Sequence, residues 1–143
     1  MVCYSIMDII DYKEVFTLKI QESAENYLET ILVLSQRHPQ VRSIDIATEL
    51  GFSKPSVSVA MKNLRTSGHI VMDKEGHISL TESGRAIAEK IYERHQLLTS
   101  WLISLGVSPE TASADACRME HVISPESFSA IKNHVEQKNG RIR

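Results

Sequence analysis

Between Ser23 and Arg37 the apolar residues Tyr27, Leu28, Ile31, Leu32 and Leu34 recur at three- and four-residue intervals, the period of an amphipathic α-helix. Glu25 and Glu29 lie toward its front, where the helix dipole favours negative charge, and His38-Pro39 ends it. A second, shorter pattern follows at Ile44, Ile46, Ala47 and Leu50, with Ser43 expected as its N-cap and Gly51 suited to a left-handed C-cap. Ser53 then opens a third helix that accepts Pro55 in its first turn, directs Val57, Ala60, Met61 and Leu64 inward, and runs out at Ser67-Gly68. Two short helices joined by a tight glycine turn predict a helix-turn-helix.

The period then changes. His69 to Met72 and His77 to Leu80 are short strand-like runs separated by Asp73-Lys74-Glu75-Gly76, a hairpin in the place of a wing. From Thr81 a helical stripe resumes through Ala86, Ile87, Ile91, Leu97, Leu98, Trp101, Leu102 and Leu105, ending at Gly106. Pro109 to Val122 and Pro125 to Gln137 predict two further helices, and Lys138 to Arg143 is expected to fray. The predicted fold is mainly α: a winged helix-turn-helix over 21–82 followed by an all-helical domain over 83–143. Residues 1–20 form an N-terminal extension in which Met7 to Phe16 reads equally as a packed helix or as an arm.

With 143 residues, 42% of them hydrophobic, the chain suits one globular domain or two small subdomains. Cys3 and Cys117 are the two cysteines and stand in unrelated contexts, which predicts no disulfide framework and a reducing cytoplasm. The first residues carry Asp8, Asp11 and Glu14 without a basic start, so no signal peptide is expected. No apolar run approaches the ~20 residues a membrane span requires, and no membrane partner is expected.

The net charge of −2 argues against a protein that coats nucleic acid indiscriminately. Charge is uneven, however: Arg37 to Lys74 holds six basic residues against three acidic ones. That local excess coincides with the helix-turn-helix, whose second helix enters the major groove of DNA by its N-terminal residues. The candidate DNA-binding residues are Arg42, Ser53, Lys54, Pro55, Ser56, Ser58, Lys62, Arg65 and Lys74. Small hydroxyls allow close approach of the backbone, while Lys54, Lys62 and Arg65 meet phosphates. Ser56, Ser58 and Asn63 do not specify a target sequence, because serine serves any base. One such module binds weakly, so a homodimer on a double-stranded operator is expected, with the long stripe from Ile87 to Leu105 as the dimer surface. Protein contact is the competing use of a winged helix.

Candidate chemistry concentrates in Asp115-Ala-Cys-Arg-Met-Glu-His121. Cys117, Glu120 and His121 stand at i, i+3 and i+4, on one face of a helix. Thiolate, carboxylate and imidazole together suit a transition metal rather than calcium or magnesium, although three ligands do not complete a site. The competing reading is an ordinary amphipathic helix with Cys117 in the core and Glu120 and His121 solvated. Met119 is expected in the core, Cys3 as a tail thiol, and His38, His69, His77 and His134 as solvated or helix-end residues.

The order helix, helix-turn-helix, wing, long helix, then Ala116-Cys-Arg-Met-Glu-His-Val-Ile-Ser124 resembles the diphtheria toxin repressor family of metal-dependent transcriptional regulators, including its shorter manganese transport regulator branch. The resemblance covers about Glu22 to Val135. It is carried most specifically by Glu25-Asn-Tyr-Leu-Glu29, Ala47-Thr-Glu-Leu50, Pro55-Ser-Val-Ser58, Arg94-His95 and Cys117-Arg-Met-Glu-His121. The resemblance implies the short form of the family, in which the SH3-like third domain of the longer branch is expected to be absent.

The resemblance implies a metal site drawn from three helices. Glu29 matches an acidic ligand of the manganese branch, His95 a histidine ligand of both branches, and Cys117, Glu120 and His121 the central cluster. Iron-type members carry cysteine at the position of Cys117, and manganese-type members carry glutamate. Asn26 departs from both, where methionine or aspartate would stand. Thr99 and Ser113 occupy positions of the iron-type ancillary site and are poor ligands. The implied principal site is Cys117, Glu120, His121 and Asn26, with Glu29 and His95 completing it or forming a second site bridged by Glu120. Iron(II) or manganese(II) is the implied ion, with zinc, cobalt or nickel able to substitute in vitro. The implied function is a metal-dependent repressor of metal-uptake genes, not an enzyme, with no small organic substrate. A thiol redox regulator sensing through Cys117 and a small metalloenzyme are the alternatives.

Overall fold

The computed structural model describes residues 12–140. The expectations placed on Cys3, and on the N-terminal stretch before Tyr12, lie outside them. The element order is α1 (Tyr12–Arg37), α2 (Ser43–Leu50), α3 (Lys54–Thr66), β1 (Ile70–Met72), β2 (Ile78–Leu80), α4 (Glu82–Ser104), α5 (Pro109–Val122) and α6 (Pro125–Gly140). The chain divides into two compact units at Arg85/Ala86, within α4.

In the first unit α1, α2 and α3 close around Leu28, Ile31, Ile46, Val57, Met61 and Leu64, all buried. Burying a side chain of this size contributes roughly 1.5–3 kcal/mol. The buried positions of α3 are Val57, Met61 and Leu64, one stripe at the helical period, so the rest of α3 faces outward. Gly51, at φ 68°, supplies the left-handed C-cap and sends its N–H to Ala47 O, which turns the chain from α2 into α3. Phe52 meets the ring of Tyr27 edge-on at 6.0 Å.

The cap of α2 corrects the sequence reading. Arg42, not Ser43, is the N-cap residue, and Asp45 Oδ2 accepts the Arg42 N–H at 2.8 Å. An acidic side chain in the first turn captures the orphan donor from inside the helix, a contact that a search for a capping hydroxyl passes over. Ser53 does cap α3, its Oγ accepting from Ser56 N at 3.3 Å.

Strands β1 and β2 pair antiparallel in the register Ile70↔Leu80, Val71↔Ser79 and Met72↔Ile78. Buried Ile78 sends its N–H to Val41 O at 2.7 Å, tying the hairpin to the segment before α2. In the second unit the buried apolar residues are Ala88, Ile91, Leu98, Ala112, Ala116 and Phe128. Ser108 caps α5, accepting from Thr111 N. Helix α6 continues through Lys138 to Gly140, so the expected fraying does not begin at Lys138, and 141–143 lie outside the described residues. Among the described residues no helix is long and apolar enough to cross a membrane.

Candidate metal centre and nucleic-acid interface

Helix α5 carries the cysteine–glutamate–histidine cluster, and its burial inverts the bland expectation. Glu120 has no exposed surface and His121 is half-buried, while Cys117 is the exposed member. Met119, expected in the core, is only half-buried, because the face of α5 that packs inward is the one holding Ala112, Ala116 and Glu120. One ligand atom from each of Cys117, Glu120 and His121 lies within 4.8 Å of the others.

A buried carboxylate requires compensation. His95, reaching from α4, places Nδ1 2.8 Å from Glu120 Oε2. With Glu120 as carboxylate, that nitrogen donates the hydrogen bond, and the imidazole ring stands among groups of the kind that ligate metal. Glu120 Oε1 is buried without a hydrogen-bond partner, and His121 Nε2 lies 3.4 Å from it. An orphaned carboxylate oxygen beside two imidazoles and a thiol fits a divalent transition ion, which supplies the missing positive charge to Oε1.

Arg94, one residue before His95, is a functional residue that sequence reasoning left without a role. It is 6% exposed. Its Nη1 donates to Glu120 O at 3.0 Å and to Ile123 O at 3.1 Å, satisfying carbonyls at the C-terminal end of α5. The guanidinium lies over the Phe128 ring at 5.4 Å. Arg94 thereby fixes the turn of helix from which Glu120 and His121 project. Its signal in the sequence is a charge at a core position, three residues after Ile91 and four before Leu98.

On α1, Asn26 and Glu29 stand three apart and so share a face. Glu29 is buried, and Asn26 O accepts the Thr30 hydroxyl at 2.8 Å. Ser113 is half-buried on α5, and Thr99 Oγ1 is buried without a hydrogen-bond partner.

The candidate nucleic-acid face belongs to the first unit. Ser53, Lys54, Pro55, Ser56 and Ser58 are all exposed at the start of α3, and Lys62 and Arg65 follow on its exposed side. An open cleft of about 320 Å³ is lined by Ser43, Ser58, Met61, Lys62, Arg65 and Met72. Ser43 therefore faces the two cations, a placement that its expected role as a cap concealed.

In the hairpin, Asp73 accepts from the backbone N–H of His77 at 2.8 Å and of Glu75 at 2.9 Å. The His77 backbone donor holds the Asp73 carboxyl below its ordinary range, helped by the His77 ring and the Glu75 N–H against a partial desolvation. Arg42 Nη2 lies 3.1 Å from His77 Nε2, and His77 Nδ1 lies 2.9 Å from Asp73 Oδ2. Arginine only donates, so Nε2 accepts and Nδ1 carries the proton. His77 is consequently a structural link between Arg42 and the wing rather than a merely solvated residue, while Lys74 at the hairpin tip is exposed.

A winged helix-turn-helix in one unit and a buried donor set suited to a transition metal in the other define a class, that of metal-responsive DNA-binding regulators. Residues 19–78 match the family model described as iron dependent repressor, N-terminal DNA binding domain, and residues 81–139 match that described as iron dependent repressor, metal binding and dimerisation domain. The transcriptional regulator MntR of Escherichia coli is 36% identical over 129 residues, covering 90% of this chain and 83% of that protein. The iron-dependent repressor IdeR of Mycobacterium tuberculosis is 32% identical over 109 residues, covering 76% of this chain and 47% of that one. The manganese regulator SloR superposes with a TM-score of 0.72 at 26% identity, over 79% of this chain and 53% of that structure. This chain belongs to the iron-dependent repressor family, that of the diphtheria toxin repressor which its motifs resemble. It spans about half the length of IdeR and SloR and most of MntR.

Proposed function

We propose that the chain is a metal-dependent transcriptional repressor of metal-uptake genes, acting in the cytoplasm as a homodimer on double-stranded DNA. The single observation that carries the metal reading is Glu120, fully buried with one oxygen lacking a hydrogen-bond partner amid Cys117, His121 and His95. The proposed ligands are Cys117, Glu120, His121 and His95, joined by Asn26 and Glu29 of α1. The ion, iron(II) or manganese(II), would supply positive charge and a fixed coordination preference. Because the proposed ligands come from helices on both sides of Arg85, binding would restrict the DNA-binding unit relative to the dimerisation unit. Asn26 offers a neutral oxygen and Cys117 a soft thiolate, a donor set that is neither all-oxygen nor thiolate-rich.

For the DNA face, Lys54, Lys62, Arg65, Arg42 and Lys74 would neutralise phosphates, and Ser53, Pro55, Ser56 and Ser58 would let the start of α3 approach base edges. Ile103, Leu105 and Val122, exposed at the ends of α4 and α5, support an apolar dimer contact there. Ile91 and Leu98 of the expected dimer stripe are buried within the chain itself. Family membership does not favour the thiol redox or metalloenzyme alternatives.

Glu120→Gln tests the metal reading. The variant keeps an amide oxygen that can accept from His95 Nδ1, and its metal-free melting temperature is the reference from which its metal-induced shift is read. Manganese(II) at one hundred times its wild-type Kd should stabilise the wild type by about 2.7 kcal/mol and the variant by almost nothing. A variant that retains the full metal-induced shift and metal-dependent DNA binding would refute the assignment.

A further inference from the structure

Val59 is the most exposed large apolar side chain among the described residues of the DNA-binding unit, at 60%. It stands two residues after buried Val57 and two before buried Met61. Each step of two residues turns about 200° around the helix, so Val59 projects from the side of α3 opposite the core. Its neighbours on that outward side, three and four residues away, are Pro55, Ser56, Lys62 and Asn63, all exposed. In the free protein this placement gains little. Valine is a weaker helix former than lysine, glutamate or alanine, and more than half of the side chain is left in water. The position gains most when α3 is covered, and the surrounding Lys54, Lys62 and Arg65 limit the covering surface to one of negative charge.

The major groove presents hydrogen-bonding groups on every base pair and one apolar group, the C5-methyl of thymine. We propose that Val59 is a specificity-determining residue that reads a thymine methyl in the operator, through apolar contact from the centre of the outward face of α3. This rests on the DNA-binding reading above and adds to it a base-selective element that the hydroxyls of Ser56 and Ser58 do not provide. The preference it gives is for thymine over cytosine at one position of each half-site.

The test removes that methyl alone. Duplexes are enriched from random-sequence DNA by the full chain, in parallel with manganese(II) and with iron(II) under anaerobic conditions. Each thymine of the enriched sequence is then replaced in turn by deoxyuridine, and binding is followed by fluorescence anisotropy. At one thymine per half-site, deoxyuridine should weaken wild-type binding about fourfold, the effect of burying one methyl group. Val59→Ala, which keeps a helix-favouring residue at an exposed site, removes the contact from both half-sites, so it should bind the thymine duplex about sixteenfold more weakly and be indifferent to deoxyuridine at that position. The proposal is overturned if no thymine methyl affects the wild type, or if the sensitivity persists undiminished in Val59→Ala. Enrichment of no DNA with either metal would overturn the DNA-binding reading itself, and the Val59 assignment with it.

Discussion

Arg94 shows how much one buried side chain can carry in the second unit. Its Nη1 serves two carbonyls at the end of α5, Glu120 O and Ile123 O, from a position 6% exposed. In Arg94→Met the aliphatic volume is largely kept, but those carbonyls lose a charged donor. Loss of hydrogen bonds to a charged group costs roughly 1.5–3 kcal/mol. Urea unfolding followed by Trp101, in the same unit, should shift to lower denaturant by a stability of that order, and metal affinity should fall with it. An unchanged unfolding midpoint would mean that the carbonyls find other donors. The cluster this arginine supports was legible as a spacing: Cys117, Glu120 and His121 at i, i+3 and i+4 share a face in any helix. Which part of the face is covered was not legible, because periodicity assigns direction and not depth. The structure consequently buries the carboxylate and exposes the cysteine, contrary to the intrinsic preferences of both side chains.

At the level of elements, the approach of α4 to the hairpin depends on the first turn of the helix. Thr81 N donates to His69 O at 3.1 Å, and a Cβ built on Gly84 would collide with that same His69 carbonyl. In an exposed helix Gly→Ala stabilises by about 1 kcal/mol. Here the clash is with backbone, which cannot rotate aside, and forcing an extra carbon into such a contact costs roughly 1–3 kcal/mol. Gly84→Ala should therefore lower the melting temperature rather than raise it, and a rise would show that α4 shifts freely against β1. The sequence marked α2 to α5 well because Gly51, Ser53, Pro55, Ser108 and Pro109 are strong local punctuation. It misplaced the α2 cap, where Asp45 acts from the third position of the helix, and the end of α6, where neither Lys138 nor Asn139 stops a helix before Gly140.

Across the whole molecule, the proposed mechanism requires metal binding and DNA binding to be coupled, and coupling is reciprocal. If metal strengthens DNA binding through ~1–3 kcal/mol, a factor of roughly 5 to 150, then operator DNA must strengthen metal binding by the same factor. Two titrations measure it, DNA at fixed saturating or absent manganese(II), and manganese(II) with or without saturating DNA. The salt dependence separates the two halves of the chain. Each phosphate neutralised by Lys62, Arg65 or their neighbours contributes about 0.9 to the slope of log affinity against log salt concentration, so Lys62→Gln should reduce the slope by about that amount per protomer. Glu120→Gln, which touches no DNA in this mechanism, should lower affinity in the presence of metal while leaving the slope as it is in the metal-free wild type. A Glu120→Gln protein whose DNA affinity still responds to manganese(II) would place the effective ion elsewhere, and a coupling factor of one in the wild type would sever metal from DNA altogether.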